Sequence, residues 1–146
     1  MKNSTLNKIL LSEAGVAALI LRVPVGLILA AHGAQKLFGW FGGNGLAGTA
    51  GWLSSIGIEP GFLMAILAGS AEFFGGLALV LGLLTRPAAL VTAFTMLVAI
   101  FSVHISNGLF VADGGYEYAL ILMVALIALA VQGGGYFSID KVLSEK

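Results

Sequence analysis

The residues able to do chemistry in this chain sit in or beside greasy sequence. Glu72 lies within "LAGSAEFFGGLALVLGLL" (67–84), and Arg22 lies in an apolar run that starts near residue 14. Charged and alone in hydrocarbon, either side chain costs several kcal/mol, so each must be protonated, paired or turned to water. Counting along the two runs puts Arg22 roughly 12 Å deep at 1.5 Å per residue, and Glu72 at a similar level. The two deepest charges are therefore expected to pair with each other. Such a pair could fix helix register, or it could orient a ligand and handle a proton, which makes Glu72 and Arg22 the candidate catalytic residues.

A second polar group gathers at one end of the greasy runs: His32, Gln35 and Lys36, then His104 and Asn107, then Asp113, Glu117 and Tyr118. Arg22, Gly26, Gly33 and Lys36 share one helical face, so this group and the central charges could lie on a single inward track. An ordinary polar belt at the membrane surface would have the same composition. Two histidines near carboxylates could bind a metal, but no HxxxH, ExxH or HxH spacing is present. His32 and His104 could instead be the axial ligands of a haem. The remaining chemistry is hydrogen bonding to a polar-headed lipophile such as a quinone, whose carbonyls need donors. His32, Lys36, His104, Asn107 and Glu117 are its candidate binding residues.

What must position these groups follows from composition. The chain has 146 residues, 59% hydrophobic and 10% charged, far more apolar than a soluble domain and typical of a membrane protein. Net charge is zero with no basic run, so the chain has no surface suited to nucleic-acid phosphates. The absence of cysteine excludes a disulfide framework, a thiolate nucleophile and a cysteine-ligated iron–sulfur cluster within this chain.

Apolar runs at about 14–36, 60–84, 87–106 and 117–133 predict four transmembrane helices in a single membrane domain covering residues 1–146. The lysines before the first run resemble a signal peptide, but the run's length, Arg22 and the three runs that follow predict a retained span. Pro60 and Pro87 suit first turns, and "GGG" at 133–135 suits a stop. Lys2, Lys8, Arg86, Lys141 and Lys146 fall on one side and Lys36 on the other, which predicts both termini in the cytoplasm. Trp40, Trp52 and Tyr116 then fall at the outer interface. The Gly-rich connection 38–59 carries Trp40, Phe41, Leu46, Trp52 and Leu53, so a short interfacial helix or a folded-back lid is expected there, with a flexible linker as the alternative.

Within span two, the face shared with Glu72 holds Ala65, Ala68, Gly69, Gly75, Gly76 and Leu79, while Phe62, Leu63, Ile66, Phe73, Phe74, Leu77 and Leu81 lie opposite. Small residues beside the carboxylate predict close helix packing and an inward-pointing Glu72.

"RVPVGLILAAHGAQKLFGW" (22–40), "GSAEFFGGLALVLGLLTRPAA" (69–89) and "GGYEYALILMVALIAL" (114–129) resemble the DoxX family of small four-span bacterial membrane proteins. The resemblance runs from about residue 20 to 133, and Glu-x-x-Gly-Gly and Gly-Leu-x-Thr-Arg are its most specific elements. It implies a bacterial inner-membrane protein linked to quinone-dependent oxidoreduction. By position Arg22, Lys36, Glu72, Arg86 and Glu117 match the family's polar positions. The first expectation is thus a quinone-binding subunit or accessory of a membrane oxidoreductase, with electrons supplied by a partner protein. The alternatives are a carrier of a small lipophilic or anionic molecule, and a non-catalytic scaffold whose glycine-rich faces suit homo-oligomerisation.

Overall fold

A computed structural model of the chain describes residues 5–12 and 14–145. Lys2 and Lys146, which contribute to the charge asymmetry, lie outside the described residues. Among those residues the secondary structure is helical throughout, without a strand. The helices are α1 (Thr5–Leu10), α2 (Gly15–Phe38), α3 (Gly45–Ser55), α4 (Gly61–Leu81), α5 (Thr85–Ala99), α6 (Glu117–Gln132) and α7 (Ile139–Ser144). A π turn at Ile100–His104 and a 3-10 turn at Ile105–Asn107 continue α5.

Among the described residues, three helices are long and apolar enough to cross a membrane: Gly15–Phe38, Gly61–Leu81 and Thr85–Asn107. The fourth expected span, Glu117–Gln132, is apolar but only 16 residues long, short of the roughly 20 that cross a 30 Å core. Its ends have clear causes. Gly133, at φ +82°, stops it, and the Glu117 side chain folds back to the turn before its first residue. The connection for which an interfacial helix or lid is expected contains a helix: α3 packs on both α4 and α2, burying Ala50 and Leu53 with Ala65.

The central packing is α2 against α4, antiparallel and glycine-mediated. A Cβ on Gly33 would overlap the backbone of Phe73, and one on Gly26 would meet the Gly76 carbonyl and Val80. Such close approach gives dispersion contact without a hydrophobic driving force, the usual means of association inside lipid. Gly33→Ala is therefore expected to force the seam apart and cost about 1–3 kcal/mol, as overpacking does. Thermal unfolding in detergent checks this, and an unchanged midpoint would mean the seam opens without resistance.

These contacts also set the register. Gly26 faces residues 76–80 and Gly33 faces 69–73, so Glu72 is level with Gly33. Arg22 lies eleven positions earlier (33 − 22), roughly 16 Å away along the axis at 1.5 Å per residue. The expected Arg22–Glu72 pair does not form. The two spans are not flush: α2 stops short of the first turns of α4, where α3 fills the gap, and α4 ends level with the neighbourhood of Arg22.

Candidate functional site

Glu72 points into the bundle, as its small-residue face predicts, and its partner is Lys36. Lys36 Nζ lies 2.6 Å from Glu72 Oε2. The sequence puts both there for simple reasons. Lys36 is three residues beyond Gly33, one turn towards the end of α2, and opposite on α4 stands Gly69, whose missing side chain leaves room for the Leu37 side chain and the Lys36 Cβ. Burial divides the pair unequally: the Glu72 side chain is 4% exposed and that of Lys36 27%.

Lys36 also lines a polar recess of about 330 Å3, formed with Gln35, Gly42, Gly43, Asn44, Thr49 and Trp52. Thr49 Oγ1 donates to the Lys36 carbonyl at 3.3 Å, tying α3 to the end of α2. Gln35 Nε2 donates to the Phe41 carbonyl at 3.3 Å and steadies the turn that forms the recess wall. The arrangement is a buried carboxylate neutralised by the ammonium of a partly exposed lysine that also lines a small polar chamber. Chemically it offers a mobile N–H donor backed by a fixed negative charge.

His32 is on the bundle surface with its ring 6.3 Å from that of Tyr118, bridging α2 and α6, and it is within electrostatic reach of both Lys36 and Glu72. The other three candidates belong to a different place. His104 Nδ1 is 2.7 Å from the Gly114 carbonyl, and Asn107 Nδ2 donates to the same oxygen at 3.2 Å. Glu117 Oε1 accepts from the Val111 backbone at 2.7 Å. These residues shape the loop between α5 and α6. Glu117→Ala is expected to free that loop and raise protease cleavage within 108–116 several-fold, read on the folded protein in detergent. The single inward track running from Arg22 through all the candidates is therefore two separate polar groups plus a clamp.

Arg22 is that clamp. It is 1% exposed, and its donors reach five backbone carbonyls: Gly134 from Nε at 2.9 Å, Leu79 and Val80 from Nη1 at 3.1 and 2.5 Å, and Tyr136 and Phe137 from Nη2 at 3.2 and 2.9 Å. Leu79 and Val80 close α4, whose last carbonyls have no helical partner, so the guanidinium satisfies them and meets the negative end of the helix dipole. Arg86 does the same for α6 and α1, donating to Ala130, Val131 and Leu11. The Gly-Leu-x-Thr-Arg element thus reads as architecture: Gly82 takes the left-handed cap of α4 against Ser138, and Arg86 binds the two neighbouring helix ends.

Asp140 was missed by sequence reasoning. It is 1% exposed, and its two oxygens accept from the Leu84 and Thr85 backbone at 2.6 and 2.8 Å, capping α5 from a distant segment. The local signal is Ser138, which caps α7 by accepting from the Lys141 backbone at 3.2 Å and so predicts a helix starting one residue before Asp140. Nothing local shows that this helix folds back onto the end of α4.

Among the described residues, no group of three histidine, cysteine or acidic side chains is arranged to hold a metal. His32 and His104 have separate partners, the Tyr118 ring and the Gly114 carbonyl, and do not form a facing ligand pair. The recess lined by Lys36, Gln35, Asn44 and Thr49 is the polar concavity among the candidate residues that could take a small polar head group.

Comparison with known proteins yields one family. The DoxX family model matches residues 17–105. The chain is 34% identical over 138 residues to "Inner membrane protein YqjF" of Escherichia coli K12, covering 93% of this chain and 97% of that one. It is 30% identical over 125 residues to "Putative oxidoreductase CatD" of Bacillus subtilis 168, covering 86% and 85%. An uncharacterized Haemophilus influenzae protein is 31% identical over 139 residues, covering 90% and 85%. No solved structure matches the chain.

Proposed function

The chain belongs to the DoxX family, and from that premise we propose that it binds the head group of a quinone at Lys36–Glu72, as the inner-membrane part of an oxidoreductase. The observation that carries this is the unequal burial of the pair. Glu72 is sealed in the α2–α4 seam, while Lys36 is partly exposed and is also one of the residues that line the polar recess beside α3. A purely structural pair has no need of a chamber on one side.

Each residue then has a distinct task. Lys36 would donate to a ring carbonyl, and Glu72 holds the ammonium in place and keeps the site electrically neutral. Gln35, Asn44 and Thr49 supply further polar surface, and the His32 ring lies within electrostatic reach of the pair. An apolar groove of about 490 Å3 between α3, α4 and α5, lined by Leu53, Met64, Leu67, Ala68, Leu90 and Phe94 among others, suits a hydrocarbon tail. The bound quinone would supply two-electron redox chemistry. The chain has no cysteine, so electrons come from a partner protein.

The names of the two better-described relatives support the location and the reaction class. The charge asymmetry of the connections supports cytoplasmic termini, with α6 as a fourth, short span. The test is to purify the protein gently, extract it and quantify quinone by chromatography. The expected result is close to one quinone per chain, falling at least tenfold in Lys36→Met. Protein that is free of quinone and fails to bind it on addition would end this reading.

A further inference from the structure

The loop that joins the end of α5 to α6 has an exposed apolar tip. Leu109, Phe110 and Val111 are 44%, 62% and 56% exposed. Just beyond them the chain turns back: the Tyr116 and Glu117 amides donate to the Gly108 and Leu109 carbonyls at 3.0 and 2.9 Å, pinning the two arms of the loop together at the start of α6.

Three observations bear on what surrounds this tip. The first is its level. The Tyr118 ring, one residue into α6, is 6.3 Å from that of His32, and α2 runs six residues past His32 to Phe38. To within a side chain's length, α6 therefore starts roughly 9 Å short of the end of α2. Its 16 residues, roughly 24 Å, also fall short of a core about 30 Å thick, so the loop occupies the rest of that crossing. The second is continuity. Val111 and Glu117 line one shallow groove of about 540 Å3 with Tyr118, Ile121 and Val124, and the tip thereby extends the exposed apolar side of α6.

The third is hydrogen bonding. The amides of Asp113, Gly114, Gly115, Tyr116 and Glu117 donate to carbonyls between Gly108 and Val111, and the Val111 amide donates to Glu117 Oε1 at 2.7 Å. The Gly114 carbonyl pairs with His104 and Asn107. A loop in water can leave such groups to solvent, whereas irregular backbone at membrane depth must satisfy them within the protein.

We propose that the α5–α6 loop is seated in the bilayer, with Phe110 and Val111 among acyl chains, and that it completes the crossing α6 begins. Asp113, exposed and two residues past Val111, limits the insertion, because an exposed carboxylate stays at the head groups. A soluble partner would need the tip to stand clear of the helix ends, whereas the tip adjoins a helix start set below the end of α2. The proposal rests on α6 as a short fourth span and not on the quinone site.

The chain has no cysteine, so single cysteines can be labelled without background. Phe110→Cys and Val111→Cys, both at exposed positions, are spin-labelled in phosphatidylcholine nanodiscs, with Ile121→Cys on the exposed side of α6 and Asp113→Cys at the expected head-group level. Collision with oxygen, which enters hydrocarbon, is compared with collision with a hydrophilic nickel chelate, which does not. Oxygen is expected to outpace the chelate by about threefold at 110, 111 and 121, and the order to reverse at 113. A label at 110 or 111 that favours the chelate would overturn the proposal. Whether α6 crosses is read separately in spheroplasts, where an impermeant maleimide should react with only one of Asp113→Cys and Glu145→Cys. If the two behave alike, the short fourth span falls and the proposal with it. If they differ and 110 or 111 favours the chelate, the seated loop alone is wrong.

Discussion

Arg22→Met is expected to lower stability by about 3–5 kcal/mol. Five buried or half-buried carbonyls, on Leu79, Val80, Gly134, Tyr136 and Phe137, lose their donor at once. Each unsatisfied acceptor costs about 1–3 kcal/mol, and the total stays below the sum because water reaches those nearest the surface. Against a whole-protein stability of 5–15 kcal/mol the loss is severe. Arg22→Lys should recover little of it, since an ammonium lacks the planar fork that spans carbonyls from two segments. Unfolding in detergent and yield in the membrane fraction measure the loss. Quinone per folded molecule should stay the same, because Arg22 is about 16 Å along the bundle from Glu72. A stable Arg22→Met protein lacking quinone would return Arg22 to the binding site.

That expectation contrasts with what counting residues along the chain predicts, and the cause is specific. Which way Glu72 faces is legible, because the residues at its helical spacing, Ala65, Gly69, Gly76 and Leu79, are the ones that become buried. The helix end at Gly133 and the helix within the Gly-rich connection are legible for similarly local reasons, whereas α4 ends at Leu81, three residues short of the expected 84. The register between α2 and α4 is not. Counting depth from each span's end assumes the ends are flush, whereas the seam is positioned by where Gly26 meets Gly76 and Gly33 meets Phe73. That offset slides Lys36 to Glu72 and leaves Arg22 beside the open end of α4.

The same limit explains Asp140 and Arg86, whose partners are set by which helix ends meet rather than by neighbours in sequence. Asp140 caps α5 from more than fifty residues away, and Arg86 reaches the ends of α1 and α6. The Gly-Leu-x-Thr-Arg element, one of the most specific parts of the family resemblance, is architectural: it places an arginine at the junction of two helix ends.

The second large effect concerns the ion pair, and its signature is asymmetry. Lys36→Met leaves Glu72, with a 4% exposed side chain, as a buried carboxylate without its partner, and breaking a buried pair from that side costs about 3–5 kcal/mol. Glu72→Gln removes the other charge, but Lys36 can turn into the polar recess and be solvated, so a loss nearer 1 kcal/mol is expected. Removing both charges in Lys36→Met with Glu72→Leu should restore most of the stability, because a well-packed apolar pair is often as good as a buried ionic one. If stability were the pair's only purpose, that double variant would behave as the parent protein does. The head-group site requires otherwise: the double variant should be stable and bind no quinone. Measured together, the unfolding midpoint and the quinone content separate the two roles, and a stable double variant that still holds quinone would place the head group elsewhere in the bundle.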